Sequence, residues 1–184
     1  QDKFAPLFDI DRTFVLIYNT KGMIKTLSRL ALLAAGLLAF TACQQQRYTQ
    51  KFPVYKGYKK APYTLKGVRY YPLSVEDALY YKEDGIASFY EADGDPGAIG
   101  QRLYRHQFYA AHRTLPLPCV CRVTNLSNGR SCYVRVADRG PYIDGRLIDV
   151  STRVARFLGF ERKGLERVRV EVISVGDGPW KRTR

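Results

Sequence analysis

The clearest hydrophobic alternation lies near the C-terminus. In Arg167 to Val175 (RVRVEVISV), Val168, Val170 and Val172 alternate with charged residues. That period of two puts one face of a strand on a core. Ile86-Ala87-Ser88-Phe89-Tyr90 predicts another strand. Val120 to Thr124 and Cys132 to Ala137 predict a hairpin around Asn125-Leu126-Ser127-Asn128-Gly129. Ser151 suits an N-cap, Val154, Phe157 and Leu158 follow at helical spacing, and Gly159 is a stop, so one short helix is expected there. Glu91 to Gly100 (EADGDPGAIG) has no period and reads as a loop, and Val68 to Tyr81 as a short strand and turn. Short strands, frequent turns and one helix predict a small, mostly β barrel, with its compact part from about Gly85 to Val175.

A different pattern occupies the N-terminal third. After Met23, Lys25 and Arg29 precede the uncharged apolar run Leu30 to Ala42. The run is too short to cross a hydrocarbon core of about 30 Å as a helix. It fits the apolar region of a signal peptide. Its end, Phe40-Thr41-Ala42-Cys43, is similar to a bacterial lipobox. The expectation is an upstream over-extension over 1–22, a lipoprotein signal peptide over 23–42, and lipid on Cys43. Gln44 after that cysteine suggests the outer membrane, facing the periplasm. Residues 43–66 are Gln-, Tyr- and Lys-rich with Pro53 and Pro62, and are expected to be a flexible tether. Residues 176–184 are expected to be a basic tail.

The formal net charge of +13 suggests anionic partners. The charge is dispersed rather than in long runs, and an export signal argues against nucleic acid. Export also makes a disulfide plausible. Cys121 and Cys132 flank the hairpin loop and are the favoured pair, with Cys119 the competing partner. The C-x-C spacing with no nearby His argues against zinc, and no cofactor or metal is expected. No phosphate loop, G-x-S-x-G or H-E-x-x-H occurs. What remains is a pair of acids in strand-like runs, Asp138 and Asp149, within VADRGPYIDGRLIDVS. They either hold turns or face a cleft.

That segment, with GIASFYE (85–91), AAHRTLPL (110–117), RVTNLSNGRS (122–131) and VRVEVI (168–173), resembles the rare lipoprotein A family, in the same order, over about 67–175. The resemblance implies a six-stranded double-psi β-barrel with one or two short helices. It also implies an endolytic lytic transglycosylase that cleaves MurNAc–GlcNAc bonds of peptidoglycan strands lacking stem peptides, leaving 1,6-anhydro products. The family's groove residues carry over to His112 and Asp138 as catalytic residues. At the family's Glu position this chain has Gln101, a substrate-binding residue together with Arg139 and Tyr90. Because anhydro-ring closure returns the proton it consumed, one carboxyl can serve as acid and then base, unlike the usual pair of hydrolysis. Asp138 is the expected carrier. Asp149, beside the N-cap, is assigned to the strand–helix junction, and Glu91, Asp93 and Asp95 to solvated loop positions. Tyr90, Tyr104, Tyr109 and Tyr142 could stack on sugars. Gln101 keeps an alternative open: a lipid-anchored protein that binds peptidoglycan without cutting it.

Overall fold

The computed structural model describes residues 52–184. The expected over-extension, signal peptide and lipidated Cys43 lie outside the described residues. The chain order is β1 (Tyr63–Leu65), β2 (Val68–Tyr70), α1 (Val75–Leu79), β3 (Lys82–Tyr90), β4 (Asp93–Pro96), β5 (Arg102–Tyr104), β6 (Tyr109–Ala111), β7 (Cys119–Asn125), β8 (Ser131–Asp138), β9 (Arg146–Ser151), α2 (Thr152–Leu158) and β10 (Glu166–Val175). A 3-10 turn, Gly178–Trp180, follows.

Six strands close a barrel in the order β10–β3–β9–β6–β8–β7. The β3–β9 and β6–β8 pairs are parallel, and the other pairs are antiparallel. Chain neighbours β8 and β9 are therefore separated by β6, and the link 139–145 passes over its end. This is the double-psi β-barrel. The alternation that marked the strands does the packing. Val168, Val170 and Val172 meet Cys121, Val123, Val134, Val136, Ile148 and Val150 inside, all buried. Each fully buried valine contributes about 1.5–3 kcal/mol. A charge at Val170, which has no exposed surface, would be the single change most damaging to this layer.

Helix α2 closes one end. The Ser151 hydroxyl accepts from the Val154 N–H at 3.3 Å and donates to the Gln107 carbonyl at 2.6 Å. Gly159 ends the helix in the left-handed region (φ 84°), which its missing Cβ permits. The amides of Asn125 and Asn128 donate to the last helical carbonyl, Leu158, at 3.0 and 2.9 Å. Val154, Ala155 and Leu158 face the barrel.

Four expectations change. Residues 52–66 are not a free tether. The Tyr55 N–H donates to Asp177 (3.0 Å), Lys59 and Leu117 exchange backbone bonds, Tyr58 donates to the Trp180 carbonyl, and β1–β2 form a hairpin. The tail 176–184 is likewise tied back, through a Val175–Arg182 backbone pair and Asp177 on Arg135. The expected loop 91–100 contains β4, paired with β5. The Cys121–Cys132 disulfide is absent, and Cys119, Cys121 and Cys132 are buried free thiols. The physical reason is register: Cys121 stands opposite Val134 and Cys132 opposite Val123. The sulfur closest to Cys121 belongs to Cys119, 3.9 Å away.

Candidate active site

Two adjacent rows of paired residues cross β3, β9, β6 and β8. Phe89, Val150, Ala110 and Val136 form one. The last three have no exposed surface, so this row faces the core. Ser88, Asp149, Ala111 and Asp138 form the next, with a β-bulge bringing Asp138 opposite Ala111. Successive residues of a strand point to opposite faces, so Ser88, Asp149 and Ala111 lie on the outer side of the barrel, and Asp138, past the bulge, joins that side through its bond from Tyr90, two residues along from Ser88. Both acids flank Ala111, one on either side. Two strand spacings separate their Cα atoms by about 10 Å.

Asp138 ends β8 with its carboxylate fixed by three donors. Oδ1 accepts from the Ala98 and Arg139 N–H groups, both at 2.8 Å, and Oδ2 from the Tyr90 hydroxyl at 3.1 Å. Gly97 makes the Ala98 contact possible. A Cβ there would stand 2.9 Å from the Ala137 carbonyl and 2.8 Å from Leu103 Cδ1. Tyr90 is held edge-on by Tyr109, with centroids 5.4 Å apart. Burial raises the Tyr90 hydroxyl pKa, and Asp138 adds to the effect, so this group is a neutral donor.

Asp149 accepts a hydrogen bond from Ser88, whose oxygen is reached in turn by Arg146 Nη1 at 3.3 Å. Arg113 Nη2 donates to the Arg146 carbonyl at 2.9 Å. Burial raises the Asp149 pKa and outweighs the opposing pull of Ser88, Arg146 and Arg113. Sequence reasoning assigned this residue to the strand–helix junction. The missed signal was its partner across the sheet, because the register that sets it beside Ala111 is non-local.

The remaining expected site residues stand elsewhere. His112 is 3% exposed. Its Nδ1 accepts from the Thr114 and Leu115 N–H groups at 3.2 and 3.1 Å, which leaves the proton on Nε2. That nitrogen faces the Tyr81 hydroxyl at 3.0 Å, and Tyr81 donates to Glu83 at 2.6 Å. Burial, then Arg113 and Arg139, push its pKa down to about 3. His112, expected from the sequence to be catalytic, is a neutral histidine whose ring nitrogens are engaged within its own loop and by Tyr81. Arg139 is also committed. Nη1 donates to the carbonyls of His112 (3.2 Å), Arg113 (3.2 Å) and Leu115 (2.5 Å), and Nη2 to that of Lys59 (3.0 Å). It braces the site instead of presenting donors to a substrate.

Gln101 accepts from Arg135 Nε at 2.9 Å, not from either acid's surroundings. It lines a pocket of about 500 Å³ with Phe52, Tyr55, Ile99, Tyr104 and Gln107. Arg135 itself is gripped by Asp177 through two bonds of 2.7 Å and stands over the Phe52 ring at 5.1 Å. The Gln101 backbone carbonyl accepts from the Gly97 N–H at 2.8 Å, closing the turn whose Ala98 N–H holds Asp138.

With this geometry in hand, the chain can be compared with known proteins. Residues 82–170 match the lytic transglycolase model of the double-psi barrel. The chain is also similar to proteins named endolytic peptidoglycan transglycosylase RlpA. The protein from Pseudomonas aeruginosa PAO1 is 46% identical over 117 residues, 62% of this chain and 34% of its own length. That from Rickettsia bellii is 40% identical over 127 residues, 65% of this chain and 55% of its own. The barrel domain belongs to the rare lipoprotein A family. The chain spans from about a third to about half the length of these curated relatives. Among solved structures, the rare lipoprotein A barrel is similar to a Streptomyces papain inhibitor, with 24% identity and a TM-score of 0.43 over 50% of this chain and 94% of that one.

Proposed function

We propose that the chain is an endolytic lytic transglycosylase acting on peptidoglycan glycan strands that lack stem peptides. Its 40–46% identity to proteins bearing that name supports the reaction class. The observation that carries the assignment is the Asp149–Ala111–Asp138 row, which sets two carboxyls on one outer face of the barrel. Asp149, whose burial favours the protonated form, gives its proton to the glycosidic oxygen. The C1–O bond breaks, its electron pair goes to that oxygen, and positive charge develops at C1. The C6 hydroxyl of the same muramic acid attacks C1, and its proton returns to Asp149. The 1,6-anhydro ring closes with no water consumed. Asp138, held by Ala98, Arg139 and Tyr90, supplies a fixed negative dipole toward the developing charge. This moves the proton transfer from Asp138, where the sequence placed it, to Asp149, which the sequence assigned to the strand–helix junction.

The reading that the protein only binds peptidoglycan rested on Gln101. The Gln101 carboxamide is hydrogen-bonded to Arg135, its carbonyl closes the turn that carries the Ala98 N–H on Asp138, and one experiment separates the two readings. The test is incubation with amidase-stripped sacculi and mass spectrometry of the soluble products. Asp149→Asn is expected to reduce anhydro-muramic products by roughly 10²–10⁴-fold, the usual weight of general acid–base catalysis. Asp138→Asn is expected to be slow as well. An Asp149→Asn protein as fast as its parent would return the proton transfer to Asp138, and a parent without anhydro products would leave a binding protein. Lipid on Cys43 and attachment to the outer membrane, facing the periplasm, belong to the same proposal. They are motivated by the Lys25–Cys43 pattern. An intact mass of membrane-extracted protein that shows an unmodified Cys43 would refute the anchor.

A further inference from the structure

We propose that Tyr63, Tyr70 and Tyr142 form a sugar-stacking subsite that holds the glycan strand beside the acid row. The inference rests on the glycan reading above and adds a place to it. Two of its rings come from the β1–β2 hairpin, which precedes the matched barrel region 82–170.

Tyr63 and Tyr70 are cross-strand partners at the open end of the hairpin. Their rings are stacked, with centroids 5.1 Å apart and planes within 19°. Tyr142 meets Tyr70 edge-on at 5.6 Å, and its hydroxyl is 3.5 Å from that of Tyr63. The cluster is coupled to the acid row at three points. The Tyr63 hydroxyl donates to the Arg113 carbonyl at 3.0 Å, and the Arg113 side chain bonds the strand that carries Asp149. The Arg139 guanidinium lies over Tyr63 at 5.3 Å, next in sequence to Asp138. Tyr142 is on the loop that leaves Asp138, and the nearby Asp138 charge is among the causes that raise its hydroxyl pKa, after burial and Tyr63.

The chemistry of the surface selects the ligand. Ring faces bordered by hydroxyls match a pyranose, whose C–H face is apolar and whose rim is hydroxylated. Arg139 spends Nη1 and Nη2 on four backbone carbonyls, so this patch offers ring faces and hydroxyls and no free Arg139 fork. If the rings served only to pin the hairpin, Tyr142 would gain by burial. It stays 39% exposed, and Tyr71, the next residue after β2, is 64% exposed.

The experiment titrates soluble, amidase-stripped glycan oligosaccharides into the full chain by calorimetry, in an Asp149→Asn background that slows turnover. Tyr142→Ala and Tyr70→Ala are each expected to weaken binding by about tenfold, the effect of losing roughly one ring's contact energy. Tyr142→Phe is expected to bind like the parent, because it keeps the ring. The exposed position of Tyr142 keeps its variants folded, which a thermal melt verifies. Unchanged affinity in Tyr142→Ala and Tyr70→Ala would overturn the subsite, and so would a parent that binds no oligosaccharide. A loss of affinity in the alanine variants, beside an unsubstituted chain that makes no anhydro products, would leave the subsite standing and refute the transglycosylase reading alone.

Discussion

Removing the carboxylate of Asp177 tests how the ends of the described chain are held. Arg135 has a side chain only 3% exposed, and Asp177 is 15% exposed and grips it through two bonds of 2.7 Å. Breaking a buried pair from one side costs about 3–5 kcal/mol, chiefly because the surviving charge stays dehydrated. Here the surviving guanidinium keeps its bond to Gln101 and its contact with Phe52, so the low end applies, about 3 kcal/mol. At about 2–4 °C per kcal/mol for a chain of this size, Asp177→Ala should melt roughly 10 °C lower. The loss should also depend on pH. Burial raises the Asp177 pKa, but the bonds from Arg135 and the Tyr55 N–H, with Arg135 and Lys181 charge, bring the net value below the ordinary one. The folded pKa is depressed, so the stabilisation is present above the unfolded value and is lost as pH falls through the folded one. The difference between parent and variant should therefore begin to shrink below about pH 4, near the unfolded aspartate value, and close only as pH falls through the depressed folded one. Urea melts across pH 3–7 measure this, with an Arg135→Met, Asp177→Ala cycle isolating the pair. A cost under about 1 kcal/mol near neutral pH, or no convergence in acid, would refute the reasoning.

His112 should have the opposite partner state. Its folded pKa of about 3 lies below the unfolded value, so acid protonates the unfolded chain first and drains stability from about pH 6.5 downward, by about 1.4 kcal/mol per pH unit. His112→Gln should flatten that part of a urea-melt series, and an unchanged slope would show that the imidazole is charged or accessible in the fold. The thiols should be inert in the native protein. Burial pushes Cys132 up to about 12 and raises Cys121 as well, so an aromatic disulfide reagent at pH 8 should label neither until denaturant is added. A Cys121–Cys132 link in a non-reducing peptide map would show instead that β7 and β8 shift by two residues.

Much of the barrel was legible because its signals are local. The alternation of Val168, Val170 and Val172 predicts β10, and Ser151 and Gly159 bracket α2 through hydrogen bonds within a few residues. β4 was not legible. Asp93-Gly94-Asp95-Pro96 has no hydrophobic face, and its strand character comes only from pairing with β5. Helix α1 is too short to show a period, although Ser74 caps it through the Asp77 N–H at 2.9 Å. The polar stretch 52–66 looked like a tether because its anchors, Asp177, Trp180 and Leu117, are distant in sequence. Within the site, a motif match located Asp138. Asp149 needed the sheet register, and His112 and Arg139 needed their hydrogen bonds, before a chemical role could be told from a bracing one.

The link 139–145 spans β6 without setting the distance between the acids. That distance is held by the backbone ladders on either side of Ala111. A loop that joins two strands of a simple hairpin is coupled to their register, and any change of length is felt by every pair. Here a residue gained or lost at Tyr142-Ile143-Asp144 would alter the surface beside the acid row while the carboxyls keep their places. The barrel thus divides its labour: the ladder fixes the two carboxyls, and the crossing loop is free to vary what stands beside them.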